Sequence, residues 1–277
     1  MSTVRQLSLL ACGTIGLLAV SAPAATISFQ NGASNAYVSN YAGTSDTSFD
    51  SANDVNGGYN NGNNGGANYI YANQTTTWEE RRALIGFDLS SLTGQGLTVN
   101  STTLKLASMA GASPDNVNVS FYPVAAANAG WVQGTNGSVV FPANAGESTW
   151  NHKIHPNTNW AGSPGLSTPG TDYINTPAAT GVYNPTTTDG TIISFALTPS
   201  VVQSWIDTPA NNAGLLLLTD NDSTNGYYRF AQYYSSEATA NLRPVLELEV
   251  TAVPEPASLG LLAVGGLLMS RRRGRTA

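Results

Sequence analysis

The chain has 277 residues and a single cysteine, Cys12, which lies in the apolar stretch near the N-terminus. No disulfide framework can hold the rest together. Charge is scarce as well, at 10% of residues against about 25% in ordinary globular chains. Asparagine, threonine, serine and glycine take its place, so solubility rests on neutral polar groups. There are two histidines, His152 and His155. They sit in an Asn-rich stretch next to Pro156, which reads as a loop and not as the helix that would aim both at one metal. No Ser-His-Asp set or Gly-rich phosphate motif is present. No internal repeat of about 20–50 residues appears, which excludes solenoids and propellers.

Long apolar runs occur only at the two ends. At the first, Arg5 precedes the mostly apolar Leu7–Val20, and Ala22-Pro23-Ala24 offers small residues for cleavage. This is the pattern of a secretory signal peptide over residues 1–24. Leu9-Leu10-Ala11-Cys12 matches a lipoprotein box, but the apolar run continues for eight residues past Cys12, which favours ordinary cleavage after Ala24. At the other end, Val253-Pro254-Glu255-Pro256 is followed by thirteen uncharged residues, Ala257–Met269, then Ser270 and Arg271-Arg272-Arg273. The prolines stop any preceding strand, and the arginines mark a cytoplasmic side. Thirteen helical residues reach only about 20 Å, against roughly 30 Å of bilayer hydrocarbon, so the segment suits temporary retention better than permanent anchoring. The order of motif, apolar segment and basic end over residues 252–277 resembles the PEP-CTERM sorting tail of bacterial exported proteins. That resemblance implies an exosortase-like membrane transpeptidase as partner, acting near Pro254, Glu255 and Pro256.

Removing both tags leaves six basic and sixteen acidic residues, a net charge of about −10. Such a surface repels phosphate backbones, which excludes nucleic acid as a partner. The remaining length suits one all-β domain with a real core.

Within it, Thr26–Phe29 alternates as a strand, and Gly43–Asn68 reads as one long polar loop. Tyr69–Tyr71 and Arg82–Leu89 read as strands. Thr102–Ala107, Asn116–Phe121 and Leu246–Val250 have period-2 alternation, with one face buried and one wet. Ile192–Leu197 and Gly214–Leu218 are continuous apolar runs, which predicts buried central strands. One helix is expected over Thr198–Asp207, capped by Thr198, opened by Pro199 and facing inward with Val201, Val202, Trp205 and Ile206. Residues 142–190 form a second irregular region, containing Trp150, Trp160 and both histidines. Many short strands, one helix and no βαβ alternation predict an all-β fold, an antiparallel jelly-roll-like β-sandwich.

Several segments occur together in order: Arg82–Ser90, Ser148-Thr149-Trp150-Asn151, Phe195–Trp205 with Asn212–Leu217 behind it, Ser235-Ser236-Glu237 and Arg243-Pro244-Val245-Leu246. This ordered set resembles the DNRLRE-type domain of exported microbial proteins and spans nearly all of residues 25–251. Ala196 stands where that family usually has aspartate, and residues 142–190 are longer than usual. The resemblance implies a β-sandwich that is either a surface or adhesion module or a carbohydrate-binding module for acidic polysaccharides.

Candidate chemistry is thin. Glycoside hydrolysis needs two carboxylates flanking one bond. Glu79, Glu80, Asp88 and Asp172 have no such motif context, so the chain is read as non-catalytic, with a glycan-active enzyme as the remote alternative. Oxygen-rich loops suit calcium, and Asp46, Asp50 and Asp54 in the first loop, with Asp220 and Asp222 in Asp220–Gly226, are the candidates for a structural ion. For a glycan, the candidates are Tyr71, Trp78, Arg81, Arg82, Tyr228 and Arg229. The expectation is therefore an exported protein of the cell envelope, surface or extracellular matrix, structural or adhesive, with polysaccharide binding as the alternative.

Overall fold

The computed structural model describes residues 23–52, 59–73, 79–111, 115–220 and 230–253. Ala24–Ala252 form one compact unit. Residues 1–22 of the expected signal peptide, Pro254, Glu255, Pro256 and the three arginines Arg271, Arg272 and Arg273 lie outside the described residues. Among the described residues no helix is long and apolar enough to cross a membrane.

Alternating residues make the strands. In chain order they are β1 (Ala25–Phe29), β2 (Thr44–Asp50), β3 (Tyr69–Ala72), β4 (Arg81–Phe87), β5 (Leu97–Ala107), β6 (Val117–Pro123), β7 (His152–Ile154), β8 (Thr158–Asn159), β9 (Ala179–Tyr183), β10 (Ile192–Leu197), β11 (Leu215–Thr219), β12 (Ala231–Tyr234) and β13 (Val245–Ala252). One helix, α1 (Pro199–Asp207), follows β10. A four-stranded sheet has the order β1-β13-β5-β10, and a five-stranded sheet the order β2-β4-β11-β6-β9. All pairings are antiparallel. Setting the edge strand β2 aside, successive strands of these two sheets alternate between them except for β6 and β9, as in a β-sandwich. The β3–β12 ribbon links the sheets along one side, through the bridges Asn73–Arg81 to β4 and Ser108–Tyr233 to β5.

The core lies between the sheets. Leu104, Leu106, Leu246 and Leu248 from one sheet meet Val119, Phe121, Leu215 and Leu217 from the other, all buried. Phe121 and Phe195 pack across the gap with ring centroids 4.8 Å apart. Gly181 makes this possible, because a Cβ there would lie 2.6 Å from the Phe195 ring. The alternation of β6 and β13 is as the sequence predicts, with Val117, Val119 and Phe121 inward and Glu247 and Glu249 outward.

β5 is longer than its alternation suggests. Its inward residues are Leu97 and Val99, then Thr102, Leu104 and Leu106. The phase changes because the pairing steps from Glu249–Ser101 to Val250–Val99, leaving Asn100 as a bulge. A bulge inserts one residue and restores the inward face beyond it.

Three expectations are corrected. Gly43–Asn68 is not one loop, since β2 pairs with β4 over its whole length, from Thr44–Phe87 to Asp50–Arg81. Its polar composition hid it: Thr47, Ser48 and Asp50 are fully buried, and the Ser48 hydroxyl accepts the Tyr71 N–H at 3.0 Å. Ile192–Leu197 is an edge strand, not a central one, with Ile192 47% exposed. Leu215–Thr219 does lie at the centre of its sheet. Thr198 stands at the helix N-cap, but its hydroxyl donates to Ala178 O at 3.1 Å, not to the helix. The helix takes the place of β10 along the first part of β5, since β10 pairs only with Thr102–Ala107. There Gln203 accepts the Val99 N–H at 2.8 Å and donates to Leu97 O at 3.1 Å, satisfying strand groups that would otherwise be buried unpaired.

Phe121→Ala removes the ring at the centre of this packing. We expect a loss of about 3–5 kcal/mol, measured by urea unfolding of the full chain.

Candidate functional site

The five-stranded sheet is covered on its outer face too. Residues 124–178 between β6 and β9 fold over it. Phe49, Leu84 and Leu216 on the sheet pack with Val124, Trp150, Trp160, Leu166 and Tyr173 in a second buried cluster. This second core explains why β11 reads as a continuous apolar run.

Arg82 leaves β4 on that outer face and is almost wholly buried. Its Nη1 donates to Gly165 O (2.7 Å), Leu166 O (3.0 Å) and Ser167 Oγ (3.0 Å), and its Nη2 to Glu80 Oε2 (2.8 Å). The guanidinium carbon lies 5.1 Å from the Trp150 ring centre. Burial lowers the Arg82 pKa, and the neighbouring Glu80 carboxylate opposes that shift. Gly165 has φ +70°, and a Cβ there would lie 2.4 Å from the Trp150 ring. Only glycine fits both the backbone angle and the contact.

Asp172 organises the next turn of this layer. Its Oδ1 accepts from Asn128 Nδ2 (3.0 Å) and the Gly162 N–H (2.7 Å); its Oδ2 accepts from the N–H groups of Ser163 (3.0 Å) and Thr168 (2.9 Å). Asp172 is fully buried. The carboxylate considered for catalysis is therefore the hydrogen-bond hub of a loop, and Glu80 is the counter-ion of Arg82.

Where the covering layer stops, a recess of about 360 Å³ opens on the sheet. Asn118, Ser120 and Tyr122 of β6 form its floor, with Leu218 beside them and Ser167 and Tyr173 forming a wall. Tyr122 and Tyr173 meet edge to face, with centroids 5.0 Å apart. Asp220 closes one end, accepting from the Asn118 N–H (3.0 Å) and Asn118 Nδ2 (2.8 Å). The recess combines ring surface with amide, hydroxyl and carboxylate groups, and Arg82 at its edge is already engaged.

The glycan candidates do not form one site. Arg81 and Arg82 leave opposite faces of β4. Arg81 bonds Asp50 Oδ2 through Nε at 2.5 Å and lies 5.5 Å from the Tyr71 ring centre and 5.0 Å from that of Phe230. Tyr71 and Arg81 are thus brought together, and Arg82 belongs to the recess. Trp78, Tyr228 and Arg229 lie outside the described residues. The sequence reading missed Tyr122 and Tyr173. The available signal was the alternation that turns Tyr122 away from the inward Phe121.

The calcium candidates are dispersed too. Asp46 and Asp50 are on strand β2, not in a loop, while Asp54 and Asp222 lie outside the described residues. Among the described residues no group of three or more His, Cys, Asp or Glu side chains converges on one point. Asp46 is buried at the end of β12. Its Oδ2 accepts the Ser236 N–H at 2.7 Å, and its Oδ1 has no partner. Burial, with a smaller contribution from the Glu237 charge, pushes its pKa from 3.8 up to about 7. Hydrogen bonds from Ser236 oppose the shift.

No protein-family model matches the chain, and no curated protein matches it.

Two outcomes follow. Arg82→Leu strips the donors from two buried carbonyls and should cost about 3 kcal/mol in urea unfolding. For Asp46, the folded state holds the proton more tightly than the unfolded chain. Its favourable effect is therefore complete below about pH 4 and is lost as pH rises through about 7, on the order of 4 kcal/mol over the whole window. Asp46→Asn keeps an acceptor for Ser236 and should flatten that slope, leaving the variant more stable than the parent at about pH 8.

Proposed function

We propose that the chain is an exported protein of the cell envelope or extracellular matrix, processed at Pro254-Glu255-Pro256 by an exosortase-like transpeptidase. The β-sandwich then has a structural or adhesive role and no catalytic one. The observation that carries this reading is where the fold ends. β13 stops at Ala252, and Val253 is 54% exposed, so the chain leaves the last strand one residue before the motif begins. A processing enzyme needs an accessible segment, and a motif that begins after the last strand does not require that strand to unfold. The expected outcome is a shortened exported form when the chain is expressed with an exosortase. Replacing Pro254, Glu255 and Pro256 by alanine should leave the full-length form in the membrane fraction. Equal processing of both versions, read by mass spectrometry, contradicts the proposal.

The recess supports a second reading, that the domain holds a polysaccharide. Ring faces pair with the apolar faces of sugars, and the amide and hydroxyl groups beside Tyr122 match sugar hydroxyls. Arg82 is spent on Gly165, Leu166 and Glu80, and Asp220 adds negative charge. The recess therefore favours a neutral glycan over the acidic one the sequence suggested. Affinity electrophoresis of the full chain in gels containing neutral or acidic polysaccharides tests this. Retardation by a neutral glycan that Tyr122→Ala abolishes is expected; retardation by acidic glycans alone, or by none, removes the reading.

A further inference from the structure

The covering layer holds a feature that neither proposed role uses. The β7–β8 hairpin brings His152 and His155 together, with their Nδ1 atoms 3.4 Å apart and ring centroids 5.3 Å apart. Both rings are half-buried. Their backbones are fixed on the preceding segment. The His155 N–H donates to Glu147 O and its carbonyl accepts the Gly146 N–H, both at 2.8 Å; the His152 carbonyl accepts the Thr149 N–H at 2.8 Å, and its N–H donates to Thr149 Oγ1 at 3.0 Å. The backbone positions of the pair are therefore set by the fold.

The 3.4 Å spacing is long for a hydrogen bond and exceeds the roughly 2.7–3.2 Å of N–H···O bonds. It fits two ligands of one tetrahedral ion. Two imidazole nitrogens at roughly 2.05 Å from Zn²⁺ and at the tetrahedral angle are about 3.35 Å apart. With both rings aimed at the ion, their centroids would be about 5.2 Å apart by the same geometry. Rings aligned head to head across a 3.4 Å hydrogen bond would have centroids near 5.7 Å by the same ring dimensions, roughly 0.4 Å beyond the observed 5.3 Å. Neighbouring ligands of a tetragonal ion at about 2.0 Å would be only about 2.8 Å apart, which disfavours Cu²⁺ and Ni²⁺.

We propose that His152 and His155 form a two-histidine site for a tetrahedral divalent transition-metal ion, with Zn²⁺ the best match, bound through both Nδ1 atoms. Imidazole must be neutral to bind a metal. Water fills the remaining positions. His152 also borders a recess of about 320 Å³, together with Asn151, Asn159 and Trp160.

The test uses the full-length chain and the metal alone. Titration with Co²⁺ should give the intense visible bands of a tetrahedral ion at one equivalent, and Zn²⁺ should displace it. His152→Gln and His155→Gln, made separately, should each weaken Zn²⁺ binding by about tenfold or more, since even groups that only support a ligand cost about 10–100-fold. In the unaltered chain, Zn²⁺ should shift the Nδ1 resonances of both histidines, which needs no variant to fold. The proposal is overturned if Zn²⁺ leaves those resonances unmoved, if bound Co²⁺ has the pale spectrum of an octahedral ion, or if folded variants bind Zn²⁺ as tightly as the parent.

Discussion

One buried guanidinium joins the two halves of this domain. Arg82 belongs to the central strands of the five-stranded sheet by position and to the covering layer by its bonds. It saturates carbonyls at Gly165 and Leu166 and lies against Trp150. A cation in that setting is costly unless its donors are used, and here they are met by backbone oxygens and one carboxylate. The irregular segment 124–178 can therefore be ordered with few strands of its own. Asp172 does the same with opposite sign, drawing N–H groups of its loop onto one carboxylate. With little charge in the chain, these two groups do much of the positioning.

The ordinary strands were legible because they obey the simplest rule. β6 and β13 have one wet face and one dry face, and their inward residues were identified correctly. The strands with two dry faces divided by chemistry. β11 is apolar up to Thr219 and was read as central. β2 is equally buried but, Phe49 apart, is made of threonine, serine and aspartate, so it looked like a loop. Its neighbours supply the partners that make such a strand tolerable: Arg81 for Asp50 and the Tyr71 N–H for Ser48. Nothing local in the sequence announces those partners. β10 erred in the other direction, since an apolar edge strand has the same pattern as a central one.

Site residues were harder to read for a related reason. Adjacent strand residues face opposite ways, so Arg81 and Arg82 could not serve one site, though side by side they suggested it. Tyr122 and Tyr173 come from β6 and from the covering layer, 51 positions apart in the chain. His152 and His155 looked unrelated because a loop has no fixed period, and the hairpin brings their Nδ1 atoms to 3.4 Å. The apolar run and basic end of the proposed sorting tail were the opposite case, legible in sequence and outside the described residues. The functional picture thus rests on two supports: a motif that follows the last strand directly, and a covering layer that shapes the recess and the histidine pair.

That covering layer is the centre of the account, and hydrogen exchange reads it directly. Amide protection in the full-length chain should be compared with that in Arg82→Leu. The account predicts that protection falls across residues 124–178 while β1, β13 and β5 keep theirs. Unchanged protection in that segment, or an equal loss across both sheets, would contradict it.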